Sequence, residues 1–249
     1  MQDSQEYVLK VLSDITALPE QGMRMKLLCS TLLSLSSEDA AHLLEFLCKG
    51  GHSAASAKTA KSLLIDVAAI RDMLGKEACA QISRASVRAG LKRVARLFSE
   101  SRPHRTGIAG YDKEEELKME HLSLGQRRSL SKTGIKDSLD RLLSDPDPMV
   151  IGNILSNPRI TEKEILKIAS KRPNAPEILR LISSHKVWSK RYSVMKAIAS
   201  NPYAPTEISI ALLGLMMRQD LKNFARDSTL HPEIRQAAKE LLEDGEKGF

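Results

Sequence analysis

Ile154-Leu155-Ser156-Asn157-Pro158 recurs as Ile198-Ala199-Ser200-Asn201-Pro202, 44 residues later (201 − 157). A Thr-Glu pair follows each copy, Thr161-Glu162 and Thr206-Glu207. Apolar helical stretches come next: Ile165, Leu166, Ile168 and Ala169, then Ile208, Ile210, Ala211 and Leu212. Shorter echoes lie at Asn174-Ala175-Pro176-Glu177-Ile178-Leu179 and Leu230-His231-Pro232-Glu233-Ile234. Each corner reads as a helix end, because Asn tolerates the left-handed C-cap conformation and Pro forbids continuation. Pro or Thr then opens the next helix, with Glu near its positively polarised N-terminus. A helix–corner–helix unit cannot bury its apolar face alone, so neighbouring units must stack.

Upstream of the repeat the pattern is helical too. Ser36-Ser37-Glu38-Asp39 supplies an N-cap with acids in the first turn. Leu28, Leu32 and Leu35 recur on one face before it, and Ala40, Leu43, Leu44 and Leu47 form an i, i+3, i+4, i+7 stripe after it. Gly50-Gly51 stops that helix. The spacing of Leu63, Val67, Ile70 and Leu74 predicts one further helix, and that of Val87, Leu91, Val94 and Phe98 another. With an entry helix near Glu6–Thr16, this makes five helices in one N-terminal domain, residues 1–98. Residues 99–134 read as a linker (Pro103, Gly107 and Gly110 break the pattern) followed by a short connecting helix. A repeat domain then occupies 135–249.

Within that domain, Ala197-Ile198-Ala199-Ser200-Asn201-Pro202-Tyr203-Ala204-Pro205-Thr206-Glu207-Ile208 resembles the Ala-x-Asn-Pro-x-x-Pro-x-Glu-Leu theme of the leucine-rich repeat variant family and, more broadly, HEAT-like repeats. The resemblance covers 139–242. It implies an all-α chain whose C-terminal part is a short HEAT-like α-solenoid presenting a surface. The clustered cysteines of that family's iron–sulfur module are absent from this sequence.

Composition narrows the remaining classes. Aromatic residues make up only 4% of the chain, so aliphatic side chains must fill the core, which suits helix-on-helix packing. Cys29, Cys48 and Cys79 are odd in number and widely spaced, and they read as reduced core thiols. No apolar run approaches the roughly 20 residues of a bilayer span, and the N-terminus lacks a signal-peptide pattern. The expectation is a cytoplasmic protein with no membrane partner.

The basic residues are unevenly placed. Arg159, Lys163, Lys167, Lys171, Arg172, Arg180, Lys186, Lys190, Arg191 and Lys196 face only Glu162, Glu164 and Glu177, an excess of seven that equals the net charge of +7 of the whole chain. Trp188, the single tryptophan, sits among them. This stretch is the candidate partner-binding surface, with Arg159, Lys163, Lys167, Lys171, Arg172, Lys186, Lys190 and Arg191 as the charge and Trp188 as an anchor for an acidic protein partner. The alternative partner is nucleic acid, bound nonspecifically through phosphate contacts.

A second basic stripe would assist that alternative: Arg84, Arg88, Lys92 and Arg96 at i, i+4 spacing, with Arg93 nearby. Ile82-Ser83-Arg84-Ala85-Ser86-Val87-Arg88-Ala89-Gly90-Leu91 looks like the recognition helix of GntR-type winged helix-turn-helix repressors. The turn glycine of that motif is replaced by Gln81-Ile82, and no β-wing follows.

No residue set specifies a reaction. The six histidines are scattered, and zinc-protease, P-loop, dinucleotide and serine-hydrolase motifs are absent. Asp145-Pro146-Asp147-Pro148 reads as a helix-breaking corner. The sequence therefore points to a non-enzymatic helical-repeat adaptor that needs no cofactor.

Overall fold

The computed structural model describes residues 2–49, 54–98, 103–105, 121–133 and 135–247. Most of the expected linker, including Gly107 and Gly110, and the expected stop at Gly50-Gly51 lie outside them. The described residues are all-helical, with no strand. The helices are α1 (Gln2–Ala17), α2 (Gln21–Ser34), α3 (Ser37–Lys49), α4 (Ala54–Leu63), α5 (Val67–Arg88), α6 (Lys92–Leu97), α7 (Leu124–Leu130) and α8 (Lys136–Leu142). There follow α9 (Pro148–Leu155), α10 (Glu162–Ser170), α11 (Pro176–Ser184), a 3-10 turn (Trp188–Lys190), α12 (Tyr192–Ala199), α13 (Thr206–Leu213), α14 (Arg218–Arg226) and α15 (Pro232–Lys247).

Contacts divide the chain into two compact units. One comprises Met1–Glu100, Ile210–Leu221 and Gln236–Phe249; the other comprises Ser101–Ser209 and Lys222–Arg235. This division differs from boundaries at 98 and 135, because 210–221 and 236–249 group with the first hundred residues. Charge is one reason. On α15, the Glu240 carboxylate accepts two bonds from Arg96 at 2.6 and 2.9 Å, and Asp244 pairs with Arg93.

In the first unit, α3 packs against α5 and α6, α2 against α5, and α1 against α4. The α3 stripe of Ala40, Leu43, Leu44 and Leu47 is fully buried, and Ser36 caps the helix by accepting the Asp39 N–H at 3.1 Å. Two expected helices are broken. Leu63, Val67, Ile70 and Leu74 are all buried, but α4 ends at Leu63 and a new helix starts because Asp66 accepts the Ala69 N–H at 3.1 Å. Helix α5 is itself interrupted at Gly75, whose φ of 79° and ψ of 162° lie in a region open only to glycine.

The helix expected to carry Val87, Leu91, Val94 and Phe98 is broken at Gly90. There φ is +69°, the Leu91 N–H reaches Ser86 O at 2.8 Å and the Gly90 N–H reaches Val87 O at 3.2 Å, a Schellman termination. Val87 is consequently 67% exposed, while Val94 and Phe98 are buried from the separate α6. The first 98 residues thus hold six helices among those described, where periodicity predicted five. Helix α6 has six residues, too short to persist alone. Its N-terminal turn is met by Glu45, which accepts the Val94 N–H at 3.3 Å, and its C-terminal end by Arg71, which donates to Leu97 O at 3.2 Å.

In the second unit, helices pack at alternating positions along the chain: α7 on α9 and α9 on α11, and likewise α10 on α12. Each of four helices buries two adjacent residues and the two one turn further on: Val150, Ile151, Ile154 and Leu155; Glu164, Ile165, Ile168 and Ala169; Ile178, Leu179, Ile182 and Ser183; Val194, Met195, Ile198 and Ala199. A stripe of that width fills the space between a sequential neighbour and a helix two positions away. Glu164 is tolerated inside because its carboxylate accepts the N–H and hydroxyl of Thr161 at the start of α10, which also hold its pKa below the ordinary value.

Candidate interaction surface

The corners of the second unit carry its most regular chemistry. At Asn157 the side-chain oxygen accepts the Arg159 N–H at 3.0 Å, and the main-chain carbonyl accepts the Ile160 N–H at 3.1 Å. Asn201 repeats this with Tyr203 at 3.1 Å and Ala204 at 2.9 Å. Asp227 repeats it again with Thr229 at 2.9 Å and Leu230 at 3.2 Å. Ile160, Ala204 and Leu230, the fourth residue of each turn, are all buried.

These are Asx turns, not left-handed caps, since no described residue other than glycine has a positive φ. The asparagine amides are also used. Asn201 donates to Ala169 O and Lys171 O at the end of α10, and Asn157 donates to Thr133 O beyond α7. Asn therefore suits these corners because it has both a donor and an acceptor. The echo at Leu230-His231-Pro232 is legible in the sequence, but not that its turn begins at Asp227; the signal is the Asp-x-Thr-Leu spacing.

Several cations proposed for the surface are spent on the same task. Lys171 donates to Ser144 O, and Arg172 to Ser200 O at 2.6 Å. Both meet carbonyls at the negative ends of helices. Arg180 pairs with Glu207 at 3.2 Å, and Arg191 approaches Glu162 at 3.9 Å. Arg159 and Lys196 are exposed. Lys163, Lys167, Lys186 and Lys190 are exposed and take no partner among the described residues.

Trp188 occupies a different role from an exposed anchor. It is only 9% exposed, and its indole Nε1 donates to Leu155 O at 2.9 Å, closing the end of α9. His185 stacks on it with centroids 6.2 Å apart and an interplanar angle of 25°. Its Nδ1 accepts the N–H groups of Val187 and Trp188 at 3.3 and 3.4 Å, and burial pushes the imidazole pKa below its usual value. Above this pair an open groove passes the C-terminal ends of α9 and α11, lined by Leu155, Pro158, Leu181, His185, Lys186 and Val187. Leu181 and Val187 are large apolar side chains left exposed.

The second basic stripe does not stay together. Arg84 and Arg88 lie on α5, near Glu77 at 3.4 Å and Glu38 at 3.8 Å, and are well exposed. Lys92, Arg93 and Arg96 lie on α6, past the Gly90 break. Arg93 and Arg96 are turned away from solvent onto Asp244 and Glu240. The i, i+4 arithmetic fails because the chain reverses its dihedral at Gly90 between the two groups.

At Asp145-Pro146-Asp147-Pro148 both carboxylates are structural. Arg127 binds Asp145 at 2.8 Å, while Arg128 binds Asp147 through two bonds at 3.0 and 2.8 Å. Asp147 also accepts the Val150 N–H at 3.1 Å as the N-cap of α9. Arg128 is the main reason its pKa lies below the ordinary value. Among the described residues, no group of His, Cys, Asp and Glu is placed to hold a metal ion, and no helix is long and apolar enough to cross a membrane. Cys29 is a free thiol whose pKa burial and the neighbouring Cys79 push up to about 11.

No protein-family model, characterised protein or solved structure matches this chain.

Proposed function

We propose that the second unit is a short α-solenoid of the HEAT-like, leucine-rich-repeat-variant kind, and that it works as a non-enzymatic docking platform for an acidic segment of a protein partner. The alternating packing of α9 on α11 and α10 on α12 supports the solenoid reading. The docking reading rests on one observation. Lys163, Lys167, Lys186 and Lys190 keep their charge exposed without partners among the described residues, and Lys186 lines a groove that also exposes Leu181 and Val187. Apolar side chains beside unpaired cations complement a segment carrying both acids and apolar residues. A phosphate backbone would use the cations and leave Leu181 and Val187 without a role.

The test pairs two variants with two ligands. Lys186→Glu/Lys190→Glu and Leu181→Ser/Val187→Ser should each lose the same cross-linked protein partners that the wild-type chain retains. Wild-type chain titrated with duplex DNA at two salt concentrations should show little affinity even at low salt. Unchanged partner capture by both variants overturns the docking site. Tight DNA binding with a steep salt slope, lost in the lysine variant and kept in the leucine–valine variant, establishes nucleic acid instead.

A further inference from the structure

A separate feature of the first unit is a mostly apolar cavity of about 40 Å³. Leu64, Leu97 and Leu241 form part of its wall, and the cationic side chains of Lys61, Arg93 and Arg96 also line it. Arg96 is neutralised by the Glu240 carboxylate and Arg93 by Asp244. Lys61 has no carboxylate partner among the described residues, and the charged side chain acting on it most strongly is Arg93, a like charge. Burial first, and Arg93 second, push its ammonium below the ordinary lysine pKa, opposed in part by Cys48, which also lines the cavity. Gly214 forms another part of the wall; a Cβ there would lie 3.5 Å from Lys61 Cδ, so the lysine stem runs against bare backbone.

A half-buried cation on a mostly apolar wall is better satisfied when an anion meets it there. The side chains described here provide two carboxylates for three cations. We propose that this cavity binds a small organic monoanion, a carboxylate with a short apolar chain, whose head meets Lys61 and whose chain lies against Leu64, Leu97 and Leu241. Its small accessible volume suits a short apolar chain better than a long one. The site is independent of the docking surface on the other unit.

Titration of the full chain in low-chloride buffer with acetate, butyrate, dodecanoate and inorganic phosphate tests this by calorimetry. Protection of Lys61 from reductive methylation, read by mass spectrometry, gives a second measurement. Butyrate should bind saturably at one site, more tightly than acetate, phosphate or dodecanoate, and slow methylation of Lys61 at least fivefold. Lys61→Met should weaken butyrate binding at least tenfold, and wild-type affinity should fall as pH rises through the lowered Lys61 pKa. Absence of saturable carboxylate binding, or equal affinity in Lys61→Met, overturns the proposal. Tighter binding of phosphate than of butyrate overturns the assignment of an apolar chain. If Lys61→Met does not fold, methylation of wild-type Lys61 that proceeds unslowed in saturating butyrate overturns it.

Discussion

Asn201 is almost fully buried, and every polar atom of its side chain is occupied: the amide donates at 2.8 and 2.9 Å to two carbonyls ending α10, and the oxygen accepts the Tyr203 N–H at 3.1 Å. Asn201→Ala would leave those groups unsatisfied in the interior, at a cost of about 2–4 kcal/mol. Asn157 is only half-buried, and its amide meets a single carbonyl, Thr133 O. Asn157→Ala should cost about 1 kcal/mol. Urea unfolding of both variants checks the ordering, and equal losses would contradict this account of the corner. The repeated Asn was visible in the sequence; the identity of the carbonyls it closes was not, because they lie 24 to 32 residues away.

Helix α6 illustrates how an element too short to form alone is held by others. Glu45 and Arg71 meet its two ends, while Arg93 and Arg96 tie it to α15. The pairing holds the Glu240 carboxyl well below its ordinary 4.5, at about 2, chiefly through the Arg96 hydrogen bonds. Its folded pKa lies below its unfolded one, so the stabilisation is complete above about pH 5 and is lost as pH falls from there toward 2. Glu240→Gln should therefore cost about 1–2 kcal/mol at pH 7, discounted for partial solvent access, with the difference from wild type shrinking to near zero by about pH 2. Thermal melts across that range measure it; a difference independent of pH would exclude the ion pair as its source.

At the scale of the whole chain, the first unit is discontinuous, drawing 210–221 and 236–249 to the first hundred residues. A fragment of residues 1–98 lacks the acidic partners of Arg93 and Arg96 and the buried Ala237 and Ala238 of α15. It should melt with a broad, weakly cooperative transition by far-UV circular dichroism, where the full chain melts cooperatively. A sharp transition for the fragment at the full chain's temperature would show that the first hundred residues form a sufficient domain.

Local periodicity and corner chemistry determined most of the buried stripes, though not Val87, and that the described residues are all-helical. Leu63, Val67, Ile70 and Leu74 are inside as their spacing predicts, and Asn-Pro marks true corners. Those properties arise within a few residues along the chain, where side-chain spacing and capping act directly. Tertiary structure decided the rest. Which cations find partners and whether Trp188 is an anchor or a strut depend on groups distant in sequence, such as the Leu155 carbonyl that the indole meets. Lys171 and Arg172 could not be told from Lys163 and Lys186 by composition, because their partners are backbone carbonyls 27 and 28 residues away. The charge excess was legible as a sum, but only packing determined which part of it faces solvent.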